Sequence, residues 1–526
     1  QMKIKSILIP LLFSAGSFFF AQNSLTADAE INPELQENFT IVCASHNYDI
    51  NPHTASYSAE AQILTGLYEG LFTYDPITLD PTYAIAKSFR LSRDKKRWTF
   101  ILRDDAKFSD GTEIKAQDVI NSWLRLLLER NAPYSSLFDI VDGAETFRLG
   151  MTGSDTLGLK AIDDYTVSVH LSSPASHLTK LLCMPCFAVT KEGQNVFSGP
   201  FTLQEHKETG MTLVKNPNYY DAKKVPLSKI TILFSSDENE NTYNYNTGNI
   251  DWLSSSFNSE RLLTRDSVQL YAEFATQFFF FRLRENSIWN KAQFRQALLE
   301  AVPWDELRAN TYVAATTLVY PLNGYKQPQG YVFTDTAEAA LMLKKAKEQE
   351  GISFEQRLSV SFAIPDSEYM KQKAELLKNA WNAIGVDLEI IPVPEYAYLS
   401  NIQNISADLF SYTWIGDFAD PLAFLELFRG NSTLNVSLWH NDKYNSLLNE
   451  SALYSDENHN RLLSEAEQIL LDDAVILPIQ HPVSLNIINL NSIGGWSINA
   501  FDIHPLKYLF KRESKDNIPN IVMLTK

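Results

Sequence analysis

The sequence is poor in the residue types that catalytic and cofactor motifs require. Its 526 residues include only three cysteines, nine histidines and 20 glycines. It contains no HExxH motif, no glycine-rich phosphate loop and no GxSxG elbow, so the usual residues of metalloproteases, nucleotide-dependent enzymes and serine hydrolases are missing. Paired carboxylates such as Asp104-Asp105 are typical of solvated turns. We therefore expect no catalytic residues, no metal and no cofactor.

Basic charge is also scarce. Lysine and arginine number 45 against 63 acidic residues, which gives a formal charge of −18 and a pI near 5.0. A chain of this charge without a basic run would be repelled by a polyanion, which argues against nucleic acid as a partner. Hydrophobic residues make up 45% of the chain, as in ordinary globular proteins. The length predicts two or three domains.

The first residues are typical of an export signal. Lys3 and Lys5 precede an apolar stretch at residues 7–20, and a small-residue site follows at residues 27–29. This order predicts a secretory signal peptide, residues 1–29. The stretch is shorter than the roughly 20 residues that span a bilayer, and no comparable stretch occurs later. A lipid anchor would need a cysteine directly after it, but the first is Cys43, so we expect a free periplasmic protein.

The other two cysteines form a CxxC spacing, Cys183 and Cys186. Export would permit a disulfide, and CxxC can also be redox-active or half of a zinc site. A zinc site would need a second such pair, which is missing. Apolar residues at 181–182 and 187–189 predict a buried strand edge, so two small core residues or a local disulfide are the favoured interpretation.

Helical and alternating apolar patterns mix along the chain without internal repeats, which predicts an α/β protein with more than one sheet. The predicted helices are 60–72, 115–130, 291–301, 336–347 and 368–384. The predicted strands are 98–102, 165–171, 213–214, 230–234, 277–283, 386–391 and 408–414.

Three stretches carry a family likeness, and the first of them has two parts. Residues 68–76 read Tyr-Glu-Gly-Leu-Phe-Thr-Tyr-Asp-Pro, and residues 98–119 contain Phe-Ser-Asp-Gly-Thr and Ala-Gln-Asp-Val. Residues 198–201 read Ser-Gly-Pro-Phe, and residues 414–421 read Trp-Ile-Gly-Asp-Phe-Ala-Asp-Pro. In this order they resemble the oligopeptide- and dipeptide-binding family of extracellular solute-binding proteins, which serve ABC peptide importers.

The resemblance implies a two-lobed periplasmic-binding-protein fold of three domains, with a hinge and a ligand cleft between the lobes. Closure around a ligand would be a hinge motion. The implied domains are the main domain of lobe 1 (30–60, 190–273 and 491–526), an inserted smaller domain of lobe 1 (61–189) and lobe 2 (274–490). The implied partners are short peptides and an inner-membrane ABC peptide permease, with the receptor a monomer.

The resemblance also implies the ligand-binding residues. A buried peptide ammonium needs a carboxylate to offset its lost hydration, and the matching residue here is Asp417. Asp420 precedes Pro421 as a helix cap, which leaves Asp417 available in the loop. The other expected ligand-binding residues are Trp414, Gly416, Ser254 and Ser255.

One position departs from the family pattern. Some oligopeptide binders carry an arginine three residues before the tryptophan, available to the peptide carboxylate, and here that position is Ser411. The preferred peptide length therefore stays open at this stage. Receptors of the same fold for dipeptides, cell-wall peptides, glutathione or a nickel complex are alternatives, as is a sensory protein that presents its ligand to a membrane receptor.

Overall fold

The structure is a computed structural model that describes residues 38–512 apart from 176, 194, 323, 417, 419, 455 and 456. The predicted signal peptide, residues 1–29, lies outside the described residues, and so does Asp417. No helix in the described part of the chain combines the length and the apolar character needed to cross a membrane.

A seven-stranded sheet forms the main domain of lobe 1. Its first strand, Asn38–Cys43, runs parallel to Lys229–Phe234 on one side and Trp252–Leu253 on the other. Buried side chains such as Phe39 and Val42 cover both faces of this strand, as expected for a central parallel strand. In spatial order the strands are Val268–Ala272, Val483–Ile488, Trp252–Leu253, Asn38–Cys43, Lys229–Phe234, Gly210–Lys215 and Phe201–Lys207.

A four-stranded antiparallel sheet forms the inserted domain. The strand Arg97–Leu102 alternates between exposed and buried side chains, which confirms the predicted strand at 98–102. The helix Ala116–Leu128 packs on the sheet through Val119 and Trp123, because these positions share one helical face. In spatial order the strands are Ala86–Leu91, Arg97–Leu102, Thr166–His170 and Leu159–Asp163.

A mixed five-stranded sheet forms lobe 2. Its parallel strands Leu358–Pro365 and Val386–Val393 are connected by the helix Glu368–Ala383, whose Trp381 is fully buried. In spatial order the strands are Val386–Val393, Leu358–Pro365, Leu409–Ile415, Ala275–Phe281 and Ile476–Gln480.

Two small two-stranded sheets and the remaining helices complete the described fold. The small sheets pair Phe72–Tyr74 with Pro81–Tyr83 and Ile493–Gly494 with Phe510–Lys511. The remaining α-helices are Ser58–Leu67, Ala144–Arg148, Leu178–Leu181, Glu238–Asn246, Ala292–Glu300, Trp304–Leu307, Thr336–Gln349, Glu395–Asn401, Leu422–Leu425, Asp442–Ser451 and Glu457–Asp472.

Two elements pack outside the domain that the family resemblance implies for them. The strand Val483–Ile488 pairs within the seven-stranded sheet, so the sheet of lobe 2 ends before it rather than at residue 490. The helix Ser58–Leu67 packs through Ile63 and Leu67 into the core of that same sheet, so the inserted domain begins after it rather than at residue 61. Both differences arise because strand pairing and core packing, not sequence order, assign an element to a domain.

Candidate functional site

The two lobes are connected by two adjacent chain crossings. One runs through Glu273 and Phe274, between the strands Val268–Ala272 and Ala275–Phe281. The other runs through His481 and Pro482, and the Glu273 N–H donates to the Pro482 carbonyl at 3.1 Å. Two short hydrogen-bonded crossings side by side have the form of a hinge, since few backbone torsions need to change for the lobes to move.

A cavity of about 560 Å³ lies between the lobes, directly beside this hinge. Its size falls in the range of small-ligand sites. All three domains contribute to its wall. The main domain provides parts of 52–64 and 501–503, the inserted domain provides Tyr74, Tyr134 and 184–186, and lobe 2 provides parts of 365–370, 395–399 and 411–416.

The lobes also touch at the rim, away from the hinge. The Thr433 hydroxyl of lobe 2 donates to the Pro133 carbonyl of the inserted domain at 2.5 Å and accepts from the Ser136 N–H at 3.2 Å. Arg148 donates to the Asn431 carbonyl at 3.0 Å. These bonds would break if the lobes separated, so the described conformation is a closed one.

The strand Leu409–Ile415 presents an open edge to the cavity. It pairs along its whole length with Ala275–Phe281, but on its other side it meets Leu358–Pro365 only at residues 409 and 410. The N–H and C=O groups of Ser411 turn to that other side, where both bond the Tyr398 hydroxyl. Since orientation alternates along a strand, the backbone groups of Thr413 and Ile415 point the same way, towards the cavity.

Trp414 and Gly416, two of the residues that the family resemblance implies, both line the cavity, and their contact with a ligand stays a prediction. The Trp414 indole N–H donates to the Ala423 carbonyl at 2.7 Å, and its ring lies 6.0 Å from that of Tyr134 on the inserted domain. Gly416 lies where a Cβ would come within 2.4 Å of the Phe274 ring. Only glycine therefore lets the chain pass this close to the hinge.

The loop that carries Asp417 is anchored on both sides. Gly416 donates its N–H to the Phe274 carbonyl at 2.7 Å, and Phe418 stacks on His177 of the inserted domain. Asp420 accepts from the Leu422 N–H at 2.8 Å and pairs with His459 at 2.8 Å. The prediction that Asp420 has a structural task is confirmed. The role of Asp417 stays a prediction.

Ser254 and Ser255 lie in the main domain and are not among the described residues that line the cavity. The Ser254 hydroxyl donates to the Val42 carbonyl at 2.9 Å, which fixes the end of the strand Trp252–Leu253 to the central strand of its sheet. In this closed conformation neither serine lines the cavity, and Ser254 supports the sheet.

The cavity wall is acidic. Glu273, Glu395 and Asp502 line it, and the lining residues within the described part of the chain include no lysine, arginine or histidine. Burial, together with the charge of Asp502, raises the pKa of Glu273 to about 7. Burial would also raise the pKa of Asp502, but its bonds to His504 and Tyr271 outweigh that effect and lower it. Such a wall favours a cationic ligand group.

The CxxC segment also reaches the cavity, although not as a strand edge. Residues 178–181 form a helical turn, and Pro185–Phe187 form a 3-10 turn that brings Cys186 to the wall. The predicted strand edge is wrong because Pro185 fixes its own backbone torsion and begins a turn instead. Both cysteines are thiols, and burial raises the pKa of Cys183 far above its usual value, which makes it unreactive.

Sequence reasoning missed Glu273, Asp502 and Tyr134 as cavity residues. Glu273 follows the alternating strand Val268–Ala272, where one more polar residue attracts no attention. Tyr134 lies in an irregular stretch, and Asp502 comes from a segment more than 200 residues further along the chain than Glu273. No spacing rule connects such distant positions; only the crossing of the two lobes brings them together.

Two α/β lobes, a hydrogen-bonded hinge and a closed cavity between them define the class of two-lobed periplasmic binding proteins. Solved structures confirm the fold: the Escherichia coli murein tripeptide binding protein MppA superposes with a TM-score of 0.81 at 23% identity, covering 91% of this chain and 99% of that one. Residues 80–435 match the bacterial extracellular solute-binding proteins, family 5 Middle. The chain belongs to this family.

Curated relatives agree. The periplasmic oligopeptide-binding protein OppA of E. coli is 26% identical over 90% of this chain and 92% of its own length. The dipeptide-binding protein DppE of Bacillus subtilis is 25% identical over 76% of this chain and 78% of its own length. These relatives are named as binding proteins, in agreement with the expectation that the chain is a receptor and not an enzyme.

Proposed function

We propose that the protein is a receptor that captures short peptides in the interlobe cavity and delivers them to an ABC-type peptide permease. The observation that carries this proposal is the open edge of the strand Leu409–Ile415 inside the cavity. A peptide backbone can add to that edge through the N–H and C=O groups of Thr413 and Ile415. Such bonds ignore side-chain identity, which suits a receptor for varied peptides.

The relatives support the same ligand class. Their names specify dipeptides, oligopeptides and a murein tripeptide, which share an ammonium and an amide backbone. The acidic wall of the cavity matches the ammonium. Asp417 is the residue we assign to it, since the chain on either side of it, at Gly416 and Phe418, is fixed between the hinge and the inserted domain.

The family and the N-terminal sequence support a location in the periplasm. The family is extracellular, and residues 1–29 have the order of charge, apolar segment and small residues that directs export. We infer that the signal peptide is removed and that the receptor works free in the periplasm, next to its permease.

A four-way calorimetric cycle tests the assignment of Asp417. Wild type and Asp417→Asn are each titrated with a tripeptide and with its N-acetylated form. Each single change should cost about 2–5 kcal/mol, or roughly thirty-fold or more in affinity, because it leaves one buried charge without its partner. The combined penalty should be less than the sum, since the second change removes the stranded charge.

Equal affinities of wild type and Asp417→Asn for the free tripeptide would contradict the assignment. Fully additive penalties would place the ammonium elsewhere in the cavity. Circular dichroism of both proteins shows whether each is folded.

A further inference from the structure

Glu273 is a buried carboxylate on the wall of the ligand cavity. It is only 9% exposed, and it lies in the hinge crossing itself, where its N–H donates to the Pro482 carbonyl at 3.1 Å. An ionised carboxylate in such a place loses much of its hydration, and the fold must offset that loss or leave it to a ligand.

The fold offsets little of this loss. A hydrogen bond with Ser484 lowers the pKa of Glu273 but does not offset its burial, and no ion pair among the described residues includes Glu273. The neighbouring Asp502 adds repulsion, which contributes to a pKa of Glu273 of about 7.

Asp502 is placed differently. Its Oδ1 accepts from His504 at 3.0 Å, from Asn486 at 3.0 Å and from the Tyr271 hydroxyl. These donors hold its pKa low, so that it stays charged beside Glu273. At the hinge end of the cavity, the charged carboxylate of Asp502 is thus hydrogen-bonded by the protein, whereas that of Glu273 has few protein partners.

We propose that Glu273, with Asp502 beside it, forms a subsite for a cationic ligand side chain, so that the receptor prefers peptides with a lysine or arginine facing the hinge. This inference rests on the proposed function and adds a specificity to it. A cation here would satisfy Glu273 and relieve its repulsion from Asp502. It would also attach the ligand to the hinge crossing, in addition to the backbone bonds at Thr413 and Ile415.

The matched control is Glu395. It is another glutamate of the cavity wall, but it is exposed, at the start of the helix Glu395–Asn401. Water and salt screen an exposed charge, so Glu395 should contribute little to the choice of ligand. Burial, rather than charge alone, then distinguishes the two positions.

The experiment uses tri-alanine with a single lysine at position one, two or three, and the same three peptides with norleucine in place of lysine. At one position or more, wild type should bind the lysine peptide at least about ten-fold more tightly than its norleucine counterpart. Glu273→Gln should reduce that preference to about two-fold or less, whereas Glu395→Gln should preserve it.

A second readout needs only the wild-type protein. At pH 7 Glu273 is partly protonated, and a nearby cation favours its ionised form, so binding of the lysine peptide should release more protons than binding of its norleucine counterpart. Calorimetric titrations in two buffers of different ionisation enthalpy measure this difference. The peptide amino terminus contributes equally to both peptides and cancels.

The outcomes separate the two proposals. If norleucine peptides bind but lysine confers no advantage at any position, or if the advantage survives Glu273→Gln, the subsite is refuted and the peptide receptor stands. Equal proton release by the two peptides would refute the subsite as well. If none of the six peptides binds, the proposed function fails, and the subsite fails with it.

Discussion

Glu467 in lobe 2 and Glu273 in the hinge are both buried and so lose hydration, but the protein offsets that loss to different degrees. Glu467 and Glu273 both have a pKa that burial raises to about 7. Glu467 accepts hydrogen bonds from the N–H groups of Leu318 and Val319, at 2.7 and 2.8 Å, and from the Tyr325 hydroxyl at 2.5 Å. Glu273 lines a cavity and has one hydroxyl donor.

The difference shows that a raised pKa alone does not identify a ligand-binding residue. Glu467 is a structural acceptor: its three donors hold Leu318, Val319 and Tyr325 against the helix Glu457–Asp472. Glu273 keeps most of its acceptor capacity unused and faces space that a ligand can fill. Buried polar groups in proteins almost always have hydrogen-bond partners. A buried carboxylate with few protein donors is therefore the better indication of a ligand-binding role.

The largest expected effect is on stability at Glu467. Glu467→Ala leaves two buried N–H groups and a tyrosine hydroxyl without their acceptor, so the free energy of unfolding should fall by about 3–5 kcal/mol. Urea denaturation measures the change. Peptide preference should not alter, because Glu467 is fully buried away from the cavity. If Glu467→Ala lowers the free energy of unfolding by less than about 1 kcal/mol, Glu467 is not a structural acceptor and the contrast with Glu273 is wrong.

The pH dependence of stability sharpens the comparison at Glu273. Its pKa is about 7 in the folded protein and 4.5 is its ordinary value, so between these values the folded chain keeps a proton that the unfolded chain has lost. Stability therefore falls as pH rises through this window, by at most about 1.4 kcal/mol per unit. Glu273→Gln should remove this contribution. The free energy of unfolding of the variant should therefore rise relative to that of wild type between pH 4.5 and pH 7.

Urea denaturation at several pH values checks that prediction. The difference in unfolding free energy between Glu273→Gln and wild type should grow by on the order of 3 kcal/mol across the window. Parallel stability curves would show that Glu273 titrates normally and that its surroundings are not as desolvated as the structure indicates.

A smaller effect is expected at the rim contact, which touches neither glutamate. Thr433→Val removes hydrogen bonds to Pro133 and Ser136 that exist only when the lobes are closed. Ligand affinity should fall about thirty-fold, at roughly 1 kcal/mol for each of the two bonds, without loss of lysine preference. Thr247→Val is the control, since that hydroxyl donates to the Tyr243 and Asn244 carbonyls and accepts from Asn249, all on the same lobe.

Solution scattering provides the second measurement of closure. Saturating peptide should reduce the radius of gyration of wild type, and the ligand should add about 2.7 kcal/mol of stability at one hundred times its dissociation constant. Scattering that does not change on ligand addition would contradict a hinge mechanism.

The smallest effect is expected at the two thiols. Cys186 belongs to the cavity wall but carries no charge, so Cys183→Ser combined with Cys186→Ser should change peptide affinity by less than about two-fold. Calorimetry with the same peptides measures it. A large loss of affinity in a folded variant would mean that uncharged wall residues, and not the acidic hinge end, control recognition.

Much of the fold follows from sequence pattern. The helix predicted at 368–384 is Glu368–Ala383, and the strand predicted at 408–414 is Leu409–Ile415, because both segments alternate or repeat cleanly. The CxxC segment failed because local apolar residues indicate burial without indicating the backbone path. The strand Val483–Ile488 lies inside the range implied for lobe 2 but pairs in the first sheet, and no local pattern encodes that pairing.

Part of the candidate site could be predicted from the sequence. Trp414 and Gly416 could be placed because the segment around them has a family likeness, and both line the cavity. Glu273 and Asp502 could not be placed from the sequence, because they are distant along the chain and only the fold brings them to the same cavity. Ser254 and Ser255 differ from Trp414 and Gly416: the family likeness suggests a place in the cleft, but neither serine lines the cavity in this conformation.

The most direct test of the central claim is a capture experiment. The purified receptor is incubated with a random library of peptides two to six residues long, washed, denatured, and the released molecules are identified by mass spectrometry. The account predicts that peptides are retained, enriched in lysine and arginine, and that Glu273→Gln retains peptides without that enrichment. Retention of no peptide above the level of an unrelated protein would contradict it.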